Sequence, residues 1–314
     1  MMMRMATPTT DLLDCIVLGG GPAGLQAALT LARVHRSVVL VDEGPGRNAA
    51  AAHMQNVVTR DGTPPSAFRQ IAREQLAAYG TVRLLDGTAV AAEAREQGVV
   101  VDLAGGERLE ARLLVLATGV ADLPLPLPGL ARHWGGQVAH CPFCHGHELG
   151  RRVVVLGGEP QREHPVRMMV GVAEHLTWLT DGVRLDPDVV AGLERLGVVV
   201  DERRATGVVE RDGELVGIAV EGGAGVENST VLACDGVLTG GAWVQRSELP
   251  AALGCAMLPD GAIEVDEVGA TSVPRVFAAG DAAHRAAAGA GHSVIASAAA
   301  GQMAALGVVR ALIS

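Results

Sequence analysis

The chain has 314 residues and a mass of 32.2 kDa, enough for two domains or one large one. Its formal charge is 25 − 35 = −10, and every one of the 25 basic residues is arginine. The lack of lysine excludes Schiff-base chemistry, a lysine general base and a P-loop. An acidic chain without basic clusters also argues against nucleic acid or an anionic membrane as partner. Hydrophobic residues reach 49%, aromatics only 2%, and 41 glycines complete the composition of an α/β enzyme. Five cysteines, Cys15, Cys141, Cys144, Cys234 and Cys255, are an odd number and no secreted disulfide framework. Met1–Thr10 holds one Arg and no apolar core, so no signal peptide is expected. No apolar stretch of about 18 residues is free of glycine, so no membrane span is expected either. The expected compartment is a reducing cytoplasm.

Along the chain, residues 14–19 form an apolar run ended by glycines, the pattern of a buried parallel strand. Residues 23–34 suit a helix and 37–42 a second strand, which makes a βαβ unit. A helix near 66–79, β-rich segments at 81–103 and a buried strand at 113–117 follow. The proline-rich 122–129 segment marks a boundary. The pattern then restarts with a strand at 152–156, a helical stretch, a strand at 176–180 and a helix at 187–196. A hairpin turning at Asp212-Gly213 precedes strands near 216–220 and 230–234. A second boundary falls near Gly240-Gly241; a strand at 274–279 and a long helix at 292–311 close the chain. The expected domains are 1–121 and 242–314 as one discontinuous unit, with 122–241 inserted in it.

Between the first strand and helix stands Gly19-x-Gly21-x-x-Gly24. The first glycine permits the tight turn, the second lets a pyrophosphate reach the backbone, and the third allows close helix–strand packing. Pro22 and Ala23 open the helix that would face the phosphates. Asp42 closes the second strand, 42 − 24 = 18 residues on, where a carboxylate accepts ribose hydroxyls.

Two further segments join this motif: Leu116-Ala117-Thr118-Gly119, and Thr271 to Gly280-Asp281. The order GGGPAG, ATG, CPFC and TSVPRVFAAGD resembles the low-molecular-weight thioredoxin reductases over essentially the whole chain. The resemblance implies an α/β fold of two Rossmann-like, three-layer ββα domains, one inserted in the other, and a homodimer. It also implies FAD as cofactor. The positions it points to are Gly19, Gly21, Pro22, Ala23, Gly24, Asp42, Glu43, Arg47, Asn48, Asn56, Thr118, Gly119, Gly280, Asp281, Ser293 and Val294.

The stretch His140-Cys141-Pro142-Phe143-Cys144-His145-Gly146 carries the redox chemistry. A C-x-x-C pair at the start of a helical turn can form a disulfide, and a helix N-terminus favours the exchanging thiolate. Zinc is the main rival, with nearby histidines completing four ligands. Covalent haem attachment also matches Cys-x-x-Cys-His but follows export. By family resemblance Cys144 faces the flavin and Cys141 exchanges with the incoming thiol. His140 or His145 moves the thiol proton, His140 being the preferred one. Cys15, Cys234 and Cys255 read as small core residues.

The second glycine motif of the reductases is broken here: Gly157-Gly158-Glu159-Pro160-Gln161-Arg162. Glu159 and Arg162 stand where bare backbone must meet a pyrophosphate, and no arginine cluster follows the next strand at Thr180-Asp181-Gly182. An NADH site using Asp181 meets the same obstacle. This pattern, with the His-Cys-x-x-Cys-His-Gly core, Arg47-Asn48 and His53, is similar to the flavin dithiol oxidases that close disulfides in gliotoxin, holomycin and depsipeptide histone deacetylase inhibitors. The expected activity is oxidation of a small dithiol, with O2 reduced to H2O2. The alternatives are a disulfide reductase driven by NADPH or ferredoxin, and a flavin redox sensor without turnover.

Overall fold

The computed structural model describes residues 12–222, 230–287 and 291–314; the Met1–Thr10 segment, expected to hold no signal peptide, lies outside them. The chain forms two compact units. Unit 1 comprises the residues up to Gly46, Ala67–Ala121 and Gln245–Ser314; unit 2 comprises Arg47–Ser66 and Asp122–Val244. The sequence pattern places 47–66 in the first domain, whereas the structure groups it with the second. Contacts across long sequence separations cause this: the Arg47 guanidinium donates to both Asp122 carboxylate oxygens, at 2.9 and 2.5 Å. Gly135 also approaches Ala50 so closely that a Cβ there would stand 2.8 Å from the Ala50 carbonyl carbon.

Unit 1 opens with β1 (Leu13–Leu18), α1 (Pro22–Arg33) and β2 (Val38–Asp42), followed by α2 (Pro65–Ala77) and β3 (Val82–Asp86). The antiparallel strands β4 (Ala89–Arg95) and β5 (Gly98–Leu103) lead to the long β6 (Arg108–Leu116). The sheet runs β3-β2-β1-β6-β5-β4, and strand Val276–Ala278 adds in parallel along the second half of β6. β1, β2, β3 and β6 are mutually parallel, which is why β1 and β2 are apolar apart from Asp14 and Asp42: both faces are covered. Cys15 and Val17 point to a core shared with α1 and the C-terminal helix Val294–Ile313, while Ile16 and Leu18 point to the opposite core.

The C-terminal helix is long and apolar enough to cross a membrane by length and composition, although Gly301 and Gly307 interrupt it. Its small residues nevertheless pack on α1: a Cβ at Gly301 would lie 2.0 Å from the Ala23 carbonyl oxygen.

Unit 2 holds a parallel sheet in the order Val199–Asp201, His175–Leu179, Arg152–Leu156, Gly236–Thr239, Val138–Ala139. Helix Pro187–Glu194 starts under a cap in which Asp186 Oδ1 accepts the Asp188 N–H at 2.8 Å. A separate antiparallel sheet of Ala205–Arg211, Glu214–Val220 and Thr230–Ala233 turns at Asp212 and Gly213, both at positive φ, as a primed hairpin turn requires.

Gly301→Val forces α1 and the C-terminal helix apart and is expected to cost about 1–3 kcal/mol or more. Gly80→Ala, where a Cβ meets nothing within 4 Å, is expected to stay within about 0.5 kcal/mol of wild type. Denaturant unfolding of the two variants checks the contrast.

Candidate active site

The glycine turn of unit 1 divides its labour as the spacing requires. Gly19 lies at φ +112, where a Cβ would collide with the Ala117 carbonyl oxygen at 2.1 Å. Gly24 packs against the Gly19 carbonyl so tightly that a Cβ would lie 1.8 Å from its oxygen. Gly21, which caps α1 ahead of Pro22 and Ala23, has nothing within 4 Å of the same position. Two glycines are therefore committed to the fold, and the middle one opens on space for a ligand at a helix N-terminus.

The ends of neighbouring strands complete this cradle. Thr118 and Gly119 follow β6, and the Thr118 hydroxyl is buried without a hydrogen-bond partner. Gly280 lies at φ +80 against Ala23, and Asp281 accepts a 2.8 Å hydrogen bond from Ser297 on the C-terminal helix. Ser293 caps that helix by accepting the Ala296 N–H at 3.0 Å, and Val294 is its first residue. A cavity of about 40 Å³ runs between Gly19, Glu43, Gly87, Ala89, Thr118 and Arg246.

Asp42 is not the free acceptor that the motif alone suggests. It is 4% exposed, and it accepts from Arg69 at 2.5 Å, Arg73 at 3.2 Å and the Gly44 N–H at 3.1 Å. A carboxylate offers about four acceptor positions, so one is left for a ribose hydroxyl. Gly20 is bound to this arrangement, since a Cβ there would meet the Asp42 carboxyl at 2.2 Å. Glu43 instead faces Arg246 at 3.3 Å, while Arg246 also donates to the Pro45 carbonyl at 2.6 Å. Arg69, Arg73, Gly20 and Arg246 escaped the motif reading. The first two sit four residues apart on one face of α2, a spacing that could have pointed to a shared anion.

Arg47, Asn48 and Asn56 belong to the 47–66 segment of unit 2, where the Asn48 carbonyl accepts the Ala51 N–H. Arg47 clasps Asp122, while Asn56, at φ +59, donates its N–H to Asp61 at 2.6 Å.

Cys141 and Cys144 are joined as a disulfide with a Cα–Cα distance of 5.3 Å. Cys141 caps the four-residue helix Pro142–His145, and its carbonyl accepts the N–H groups of Cys144 and His145 at 3.2 and 3.1 Å. So short a helix offers Cys141 local N–H groups and not a long-helix dipole. Phe143, between the cysteines, is 69% exposed. His140 stacks on Trp134 with ring centroids 5.7 Å apart. Both His145 ring nitrogens are buried without a hydrogen-bond partner of normal geometry. Burial lowers the His145 pKa and outweighs the opposing pull of Glu148 and of the Gly135 backbone, so the imidazole is held neutral. The other thiols are remote from such chemistry: burial pushes Cys15 and Cys255 up, and Cys234 up to about 12. Among the described residues no group of three His, Cys, Asp or Glu side chains stands ready for a metal.

In the second glycine motif, Glu159 and Arg162 form an ion pair at 3.3 Å. Asp181 spends its carboxylate on the Ala205 N–H at 2.9 Å. Arg204 lies across Gly182, an arginine near the end of this strand that sequence spacing does not reveal.

A family model described as "Pyridine nucleotide-disulphide oxidoreductase" matches residues 13–160 and 173–305. The chain is 32% identical over 287 residues to "Thioredoxin reductase tcpT" of Claviceps purpurea, covering 87% of each. Among solved structures, HlmI superposes with a TM-score of 0.86 at 33% identity, over 98% of this chain and 95% of that one. An oxidoreductase from Agrobacterium tumefaciens gives a TM-score of 0.85 at 31% identity, over 96% and 99%.

Gly21→Val is expected to yield a folded, colourless protein without flavin absorbance, because only ligand space is filled. Gly24→Val is expected to lose the fold. Circular dichroism together with flavin content distinguishes the two. For His145, the folded pKa lies below 6.5, so from that lowered value up to 6.5 the unfolded chain binds more protons and stability rises with pH. The unfolding free energy of wild type relative to His145→Gln is thus expected to be constant above about pH 6.5 and to fall as the pH drops below it.

Proposed function

The chain belongs to the pyridine nucleotide-disulphide oxidoreductase family, and from that premise we propose that it is a dithiol oxidase, closing an intramolecular disulfide in a small natural product with O2 as acceptor. It is an FAD-binding flavoprotein and an oxidoreductase acting on sulfur groups, as its relatives are. The unit 1 cradle fits that cofactor: the open face of Gly21, the unpartnered Thr118 hydroxyl, Asp281 and the N-terminus at Ser293–Val294 are its holding points. When bound there, FAD supplies a two-electron acceptor that O2 can reoxidise.

The residues of the chain do the sulfur chemistry. One substrate thiolate attacks Cys141 Sγ; the Cys141–Cys144 bond breaks and Cys144 leaves as a thiolate. The second substrate thiol, once deprotonated, attacks the substrate sulfur of the mixed disulfide. This closes the cyclic product and releases Cys141. The net reaction is dithiol plus O2 giving disulfide plus H2O2. His140 is the preferred residue to take a thiol proton, and His145, held neutral by burial, is the second candidate. Exposed Phe143 gives an apolar contact for a small substrate. A homodimer in the cytoplasm belongs to the same proposal, on family resemblance.

The observation that carries this reading is the Glu159–Arg162 pair in the second glycine turn, which argues against a pyridine nucleotide as the electron source. The printed name of the Claviceps relative favours a second reading, a thioredoxin reductase driven by NADPH. Aerobic incubation of the purified holoprotein with a small dithiol and no NAD(P)H is expected to release H2O2 in step with disulfide. Flavin reduction that requires NADPH, with thioredoxin as the product, would sink the proposal. Cys144→Ser is expected to keep the yellow flavin and lose dithiol-driven bleaching.

A further inference from the structure

In unit 2 the strands Arg152–Leu156 and Gly236–Thr239 pair in parallel and end side by side at Gly157 and Gly240. Strand Arg152–Leu156 is continued by the chain towards His175–Leu179 on its other side. The gap between these two strand ends is therefore the switch point, where open α/β sheets bind their ligands. Here the crevice is filled from within. A Cβ at Gly240 would lie 1.1 Å from Arg162 Nη2 and 2.0 Å from Cζ, so the guanidinium rests on bare backbone. At Gly157, φ +118, a Cβ would stand 2.7 Å from Glu159 Oε2; at Gly158 one would stand 2.4 Å from Val183 Cβ. Arg162 is 22% exposed, and its Nε donates to Glu159 at 3.3 Å.

We propose that Arg162, latched by Glu159, is a plug that occupies the pyrophosphate position of unit 2, so that pyridine nucleotides are rejected by occupancy. An arginine in such a crevice could serve instead as a phosphate clamp. This one does not, because Glu159 neutralises it and its guanidinium lies against Gly240 rather than over open space. Gly157 and Gly240 are still in place beneath the plug, while the middle position of the glycine motif is taken by Glu159 itself. The inference rests on the oxidase reading for its meaning, yet it concerns binding and is tested apart from turnover.

The test compares holoprotein of wild type with Glu159→Gly/Arg162→Ala, using NADPH and NADH as probes in calorimetric titrations. Trp178 provides a second readout, since its indole N–H donates to the Gly157 carbonyl at 2.6 Å and its fluorescence reports on that turn. The double variant is expected to bind at least one of the two nucleotides about tenfold or more tighter than wild type. No gain in the variant, or wild-type binding as tight as the variant's, overturns the plug. If the double variant does not fold, Glu159→Gln/Arg162→Ala, which removes the guanidinium and the carboxylate charge together, gives the same reading. Failure of wild type to make H2O2 from a dithiol would defeat the oxidase reading and leave this comparison standing.

Discussion

The close approach of backbone around Ala23 and Gly24 is the contact on which unit 1 depends. Gly24 touches the Gly19 carbonyl, Gly280 touches Ala23 Cβ, and Gly301 touches the Ala23 carbonyl. Three separate stretches, the turn after β1, the end of strand Val276–Ala278 and the C-terminal helix, are thereby held against the first turn of α1. Each glycine carries an entropic penalty on folding, and a dense core with no side chain between backbones is what it makes possible. The cofactor cradle is the outer surface of the same contact, so core packing and ligand geometry share their residues. Gly21 is the exception, because its free face belongs to the ligand alone.

Charge is distributed by a similar economy of space. Asp42 is buried, and only the two α2 arginines and one N–H make that tolerable; removing any partner would leave an under-compensated charge. The thiols divide just as sharply. The buried ones, Cys15 in β1 and Cys234 just past strand Thr230–Ala233, are kept protonated by burial, and the pair at 141 and 144 sits on a short turn with Phe143 in solvent. His145 stands between these regimes, buried enough to stay neutral and adjacent in sequence to the reactive sulfur.

Much of this was legible in the chain itself. The apolar runs at 14–19, 37–42, 113–117 and 152–156 identify the central parallel strands, because strands covered on both faces have no polar alternation to obscure. The glycine spacing locates the cradle, and Cys141 and Cys144 the redox pair. The grouping of 47–66 with unit 2 was not legible, since it depends on Arg47 meeting Asp122 across 75 positions, and local pattern says nothing of such pairs. Asp42 was visible as a carboxylate but its two arginine partners were not, because an arginine on an amphipathic helix reads first as a solvated face. Glu159 and Arg162 could be seen to break a motif, whereas their pairing with each other and the filling of the space over Gly240 depend on how the turn folds back onto the end of Gly236–Thr239.

The chain passes between the units at 46, 66, 121 and 244, so neither unit is a continuous stretch of polypeptide. Unit 2 lacks its 47–66 piece until Asp122 and Gly135 exist to hold it. The central sheet of unit 1 lacks a neighbour along the second half of β6 until Val276–Ala278 is made. Closure of both units therefore waits on contacts of large sequence separation, which are the slow ones to form. During synthesis the apolar strands β1 and β6 remain without the helix Val294–Ile313 until those residues have left the ribosome, and that interval is when this chain is most exposed to aggregation.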